Sequence, residues 1–315
     1  MESNAMTWNE VAARIIDDDR GKWDRKLPAA NLSIGQNGQL VTMNGGPASE
    51  PYVLSELATG QLCNRLGVPA TYYRRLPPEM KATVANFDLK RMSERPFLLR
   101  GKGTHVRAVL SGDYVAYDNS AIAETVEGLL RSEGLQIKSF VLEETNCFLK
   151  IVSEELVEPL SGLKAGIMIG NSEVGMGSVS VEPFVFRKAC TNDLVVTQEK
   201  AFRHAHIHFT PNELTRRMAE AIGDGFLVAS QILDAFLKAK DDPIVDPLAA
   251  IRKIAEERKL TQKLADEVVA RYVADPEPNR FGIINAFTGA SQTLAPLQRI
   301  DMERFAGRLL TAPLQ

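Results

Sequence analysis

The chain has 315 residues, of which 44% are hydrophobic and 24% charged, and it carries a formal net charge of −3 at pH 7. These are ordinary globular values with enough apolar material for a sizeable core, in about two domains or one large domain with an appendage. They exclude a protein that is basic throughout, and no apolar run reaches the ~20 residues of a membrane span.

The charge is unevenly spread. Tyr72 to Leu110 holds nine Lys or Arg against three Asp or Glu, whereas Gly112 to Glu182 holds four against twelve. Segregation of this kind suits one basic face for a polyanion and acidic surfaces that meet basic ones on a neighbour. Cys63, Cys147 and Cys190 lie far apart with no metal-ligand spacing. They read as reduced, buried thiols of a cytoplasmic protein. No signal-peptide pattern is present. Ser3-Asn4-Ala5 ahead of Met6 reads as the remnant of an expression tag, so the fold reading starts at residue 6.

In chain order, Thr7 and Glu10 form a capping box ahead of a helix striped by Val11, Ile15 and Ile16. Leu32-Ser33-Ile34 and Leu40-Val41-Thr42 flank Gly35-Gln36-Asn37-Gly38, which predicts a hairpin with an Asn-Gly turn. Ser55 caps a helix carrying Ala58, Leu62 and Leu66, Gly67 stops it, and Pro69 opens a second short helix. That rhythm resembles a helix-turn-helix, whose second helix would offer Thr71, Tyr72, Arg74 and Arg75 to a DNA groove. The plainer reading is a helical hairpin docked on a sheet through Leu62, Leu66 and Leu76. A further helix runs from Pro78 to about Arg91.

Phe97 to Arg100 and His105 to Leu110 flank Gly101-Lys102-Gly103-Thr104, a hairpin with a flexible basic tip. The tip lacks the glycine spacing of a Walker loop, and Lys102 is followed by Gly103 rather than Ser or Thr. Asp118 or Asn119 caps a helix through Ile122, Val126 and Leu129, and residues 135–142 and 147–152 form another hairpin. Gly166 to Asp193 then holds two β-branched runs around a polar, glycine-rich turn. Ser178, Ser180 and Glu182 alternate with Val179, Val181 and Pro183, which predicts one wet and one dry face. After Pro211 the period becomes 3.6, with Leu214, Met218, Ile222, Ala229 and Leu233 marking a long amphipathic helix. More helices follow over 248–273, 281–294 and 300–310, with Asp275-Pro276-Glu277-Pro278 as a linker. The predicted fold is α+β: a twisted, mainly antiparallel sheet flanked by helices, with an all-helical C-terminal region. Its parts are an N-terminal hairpin and helical region (6–96), an α+β sheet core (97–209) and a helical C-terminal region (210–315).

The stretch "NSEVGMGSVSVEPFVFRKACTND" resembles the signature of the phage- and plasmid-related family called domain of unknown function 932. "YVLSELATGQLCNRLGVPATYYRRLPPEM", "VRAVLSGDYVAYDN" and, more weakly, "NRFGIINAFTGASQTL" are similar to further blocks of that family, in the expected order over most of the chain. Asp193 departs from the pattern, standing where a glycine is expected after Thr191-Asn192. The resemblance implies a mobile-element origin and marks Asn171, Ser172, Glu173 and Asn192 as signature polar residues; it brings no mechanism with it. The bland reading of Asn171-Ser172-Glu173 is a surface turn held by Asx-type hydrogen bonds.

Two sets of residues could carry function. Arg100, Lys102, His105 and Arg107 fall on one hairpin, with Arg187, Lys188 and Arg203 on later sheet elements and Tyr114 and Tyr117 nearby. Cations that meet phosphates beside rings that stack on bases suit single-stranded nucleic acid, so the leading expectation is a cytoplasmic, homo-oligomeric protein that binds or anneals single strands in recombination. His204, His206 and His208 are spaced by two, and on a strand they would share a face about 7 Å apart. That arrangement suits a divalent metal, with Glu199 or Glu213 completing the set, and gives the alternative of a metal-dependent enzyme. The histidine spacing reads more readily as a basic strand face with Lys200 and Arg203 than as a metal site, and only His204 fits the family pattern. A non-catalytic regulatory or structural protein is the third reading. No cofactor is expected under the leading one, and no catalytic residue is assigned.

Overall fold

The first helix, α1 (Trp8–Asp19), starts at a complete capping box: the Thr7 side chain accepts from the Glu10 N–H and the Glu10 carboxylate accepts from the Thr7 N–H. The computed structural model describes residues 6–42, 51–130, 134–158, 163–187, 192–195 and 202–313, with the side chains of 155–158, 186–187 and 192–195 left aside. Strand β1 (Lys22–Pro28) follows, then the hairpin β2 (Leu32–Ile34) and β3 (Leu40–Thr42), which turns at Gly38 with φ +78° as its Asn-Gly sequence predicts. Next come β4 (Val53–Leu54), α2 (Glu56–Leu66), α3 (Ala70–Arg75), α4 (Pro78–Arg91), β5 (Pro96–Lys102), β6 (His105–Ser111) and α5 (Asn119–Leu130). The second half holds β7 (Leu135–Leu142), β8 (Cys147–Glu158), β9 (Leu163–Asn171), β10 (Val179–Arg187), β11 (Asn192–Val195) and β12 (Phe202–His204). Helices α6 (Pro211–Lys238), α7 (Pro247–Glu257), α8 (Gln262–Ala274), α9 (Arg280–Ser291) and α10 (Pro296–Arg308) complete an α+β chain with a helical C-terminal region. No described helix is long and apolar enough to cross a membrane.

The strands build two main sheets rather than the single one expected. The first has the order β1-β5-β6-β4, antiparallel except for the parallel β4–β6 pair. The second runs β11-β10-β9-β8-β7, wholly antiparallel, with β12 added to β10. Because β5 pairs with β1 along its whole length, a boundary at residue 96 cuts through the first sheet. The hairpin β5–β6 thus belongs with the N-terminal elements. The physical reason is non-local: an antiparallel neighbour some 75 residues upstream leaves no local pattern to read.

The front helices dock as the plainer reading expects. Leu62 and Leu66 are buried against Phe97, Leu99, Val106 and Val109 of the first sheet, and Leu76 packs at the edge of that core. The second sheet is covered on both faces. Ile167 and Ile169 of β9 face α1, α5 and α6 through Val11, Ile122 and Met218, while Met168 faces Phe148, Phe184 and Ile300 of the layer under α10. Alternation along β9 therefore runs between two dry faces, which explains its continuous apolar sequence. The same layering overturns the expected wet face of β10, since Ser180 and Glu182 are buried there. The C-terminal helices share their core with Leu163 and Val185 of the second sheet, so they pack onto it rather than standing apart. Cys63 and Cys147 are buried free thiols, as expected, and Cys190 lies outside the described residues.

Gly101 does not belong to the flexible tip expected over Gly101-Lys102-Gly103-Thr104. The Trp23 ring of β1 lies across it, and a Cβ there would sit 2.1 Å from Cζ2. Trp23 Nε1–H donates to the Gly103 carbonyl at 2.8 Å, so the base of the hairpin is clamped and the turn is confined to Gly103-Thr104. The glycine serves a close ring-to-backbone approach.

Candidate functional site

The turn from β9 to β10 does not lie on the surface. Asn171, Ser172, Glu173 and Val174 are all buried, and Val174 inserts among Leu98, Ala108 and Leu110 of the first sheet. Gly175, at φ +76°, reverses the chain immediately afterwards, a conformation that favours glycine. The turn is thus the bolt between the two sheets. Asn171 Nδ2 donates to the Tyr117 carbonyl (3.0 Å) and to Asn119 Oδ1 (2.9 Å). Ser172 Oγ donates to the Thr145 carbonyl (2.6 Å) and accepts from the Met176 N–H (2.9 Å). Asn192 lies in β11 opposite Arg187, and its side chain is outside the described residues.

Glu173 is the centre of a charged node. Its carboxylate accepts from Lys22 Nζ (2.8 Å), from Arg107 (3.0 Å) and from the Asn119 N–H at the start of α5 (2.9 Å). Lys22 also binds Asp18 (2.6 Å) and Asp19 (2.8 Å) at the end of α1. Beside it Arg100 donates to Asp24 (2.8 Å), to Asp118 and to the Glu173 carbonyl (2.9 Å). Burial alone would raise the Glu173 carboxyl; Lys22, the Asn119 N–H and Arg107 outweigh it and hold the group below the usual carboxylate range. For Lys22, burial works downward, and Glu173, Asp18 and Asp19 together carry the ammonium above its usual value.

This node absorbs the cations expected to line a nucleic-acid path. Arg100 is 3% exposed and spends its guanidinium on internal acceptors. Arg107 is tied to Glu173, and Lys102 to the Asp18 carbonyl (2.7 Å) and carboxylate (3.2 Å). Arg203 pairs with Glu182 at 3.2 Å. Only the backbone of Arg187 is described, and Lys188 lies outside the described residues. Tyr117 is buried, and Tyr114 donates to the Ser172 carbonyl (2.9 Å) while stacking on His206, so neither ring is offered to a base. Lys102, His105 and Arg107 do share one groove of about 550 Å³, but Asp18, Glu143 and Glu144 line it too. Arg100 and Arg107 of the basic run meet Asp118 and Glu173 of the acidic run, Arg100 and Lys102 also meet Asp24 and Asp18 near the start of the chain, and among the described residues the hairpin presents no continuous positive face.

The histidines part company as well. Strand β12 ends at His204, and the chain then bends, with His208 exposed at φ +59° and His206 buried. The three rings therefore share no strand face, and among the described residues no three His, Cys, Asp or Glu groups are placed to hold one metal. His206 Nδ1 lies 3.1 Å from the Val115 carbonyl, which can only accept, so Nδ1 carries the proton. Its Nε2 is buried without a hydrogen-bond partner. Burial pushes the imidazole down to about 4, against the pull of the Val115 carbonyl. On acidification the unfolded chain takes up this proton first. Stability should therefore be full above pH 6.5 and fall by about 3 kcal/mol as the pH drops to 4. Urea midpoints of wild type and His206→Gln should converge over that interval; a constant difference would show that the imidazole is not held neutral.

Positive charge remains outward on the front helices. Between Ala70 and Arg95 six Lys or Arg stand against three Asp or Glu. Arg74 pairs with the exposed Glu56 and Arg91 with Asp88, while Arg75, Lys81, Lys90 and Arg95 make no ion pair among the described residues. Tyr72 on α3 and Phe87 on α4 are 53% and 65% exposed, and the Arg91 guanidinium lies 5.7 Å from the Phe87 ring. The partners that neutralise the hairpin, Asp18, Asp24 and Asp118, carry no local signal in the sequence. Compared with family models, with curated proteins and with solved structures, the chain gives no match.

Proposed function

We propose that the protein belongs to the phage- and plasmid-related family it resembles and binds single-stranded DNA, using the outer surface of α3 and α4. It would act as a cytoplasmic homo-oligomer in strand recombination. The observation that carries this reading is the pairing of exposed rings with exposed cations: Tyr72 and Arg75 on α3, Phe87, Lys90 and Arg91 on α4, and Arg95 just beyond it, of which Arg75, Lys90 and Arg95 make no ion pair among the described residues. Phosphates meet the cations and bases stack on the rings, which gives binding without sequence preference. Fluorescence anisotropy with a labelled oligonucleotide, titrated with salt, tests it. Replacing Arg75 and Lys90 by alanine should flatten the log-log salt slope by about 0.7 for each phosphate no longer neutralised. Phe87→Ala should weaken binding by about 1–3 kcal/mol for the base it stacks. Absence of salt-sensitive binding by the wild type at micromolar concentration would overturn the proposal.

A further inference from the structure

A second buried carboxylate lies on the far side of the β9–β10 turn. Glu182 is fully buried, yet it borders a cavity of about 270 Å³ shared with Asn171, Ser180, Arg203 and Arg304. Arg304 of α10 grips it through two bonds, Nε to Oε2 (2.9 Å) and Nη2 to Oε1 (2.6 Å). Ser180 Oγ donates to Oε1 (3.0 Å), and Arg203 Nη2 stands 3.2 Å from Oε2. Three donors therefore hydrogen-bond the carboxylate, with the Arg203 charge beside it. The effect of Glu182 is to fix two guanidinium groups at one cavity, leaving a formal excess of one positive charge among the three groups.

The guanidinium groups are not exhausted. Arg203 touches Glu182 through Nη2 alone and is 53% exposed, so Nε and Nη1 remain as donors. Arg304 directs Nη1 only toward the exposed Asp301, at 3.6 Å, which is beyond hydrogen-bond length. Its plane also lies 5.3 Å from the Phe148 ring, which holds it against an apolar wall.

We propose that this cavity binds a small oxyanion, a phosphate or a carboxylate, carried on a compact molecule. The oxyanion sits against Arg203 and Arg304, whose fork of N–H donors fits its paired oxygens. The size of the cavity limits the ligand to roughly ten non-hydrogen atoms at the liquid volume of water. This inference is independent of DNA binding by α3 and α4.

The test is titration calorimetry in a buffer free of both anion types, with three probes: inorganic phosphate, glycerol 3-phosphate, and malate. Saturable binding of phosphate and the phosphate ester identifies a phosphate source; saturable binding of malate alone identifies a carboxylate source. Either supports the site if Arg203→Gln weakens it by about tenfold or more, as loss of a charged hydrogen bond requires. Because Arg203 is half exposed, that variant should keep the wild-type melting temperature, which separates lost binding from lost folding. Ser178→Asp, which adds a negative charge at the cavity wall, should abolish binding by a second route. Heat that never saturates up to about 10 mM, or binding equal in wild type and Arg203→Gln, overturns the proposal.

Discussion

Glu173→Ala is expected to cost about 3–5 kcal/mol of stability, the range for breaking a buried ion pair by removing one partner. The Glu173 side chain is 1% exposed, and the cations it faces, Lys22 and Arg107, are 10% and 11% exposed. Without the carboxylate two desolvated charges are left in place, and the Asn119 N–H loses its acceptor. Urea denaturation reads the effect as a lowered midpoint at unchanged slope. Arg100→Ala should cost less, because its partners Asp24 and Asp118 are 35% and 42% exposed and water can take up the bonds they lose. A Glu173→Ala cost near that of a surface pair, about 0.5 kcal/mol, would show that the node does not hold the sheets together.

The pH dependence of the node follows from the same interactions. The folded-state pKa of Glu173 lies below its ordinary value of 4.5, so its contribution is full above that pH and is lost as pH falls through the lower folded value. Lys22 is raised above 10.5, so its contribution is full below that pH and is lost as pH rises through the higher folded value. In Glu173→Ala the acid-side loss should shrink. Arg100→Ala with Arg107→Ala should likewise appear as lost thermal stability, separating these arginines from the outward cations of α3 and α4.

The second large effect lies between β8 and α10. Lys150 Nζ and Glu303 Oε2 meet at 2.7 Å with side chains 4% and 0% exposed, in the layer that holds Phe148, Met168, Phe184 and Ile300. Lys150→Met or Glu303→Leu alone should destabilise by about 3–5 kcal/mol, the range for removing one partner of a buried ion pair. The double variant places two apolar side chains in an apolar layer and should recover most of that loss. A double-mutant cycle by urea denaturation measures the coupling. Costs that simply add would mean the two charges do not depend on each other.

Those two ion pairs and the Glu182 cavity mark the limit of what the chain reveals when read in order. The capping box at Thr7, the Asn37-Gly38 turn, the Gly67 stop and the 3.6-residue period of α6 each fix local backbone within a few positions, and each was legible for that reason. The α+β class and the docking of Leu62 and Leu66 followed from the same local rules. The pairing of β5 with β1, and hence the existence of two sheets, did not, because strand pairing is chosen by distant partners.

Charge shows the division most plainly. The sequence by itself determined how much positive and negative charge the chain carries and that the two lie in separate runs. Only the tertiary structure decided that Arg100, Lys102 and Arg107 turn inward to Asp18, Asp24, Asp118 and Glu173, whereas Arg75, Lys90 and Arg95 stay outward. Lys22 and Glu173 are 151 residues apart, and Arg304 and Glu182 are 122 apart. Helical and strand periodicities act over a few residues, while Coulomb attraction acts through space and strengthens where water is excluded. A cation's role is therefore set by which carboxylate the fold brings beside it.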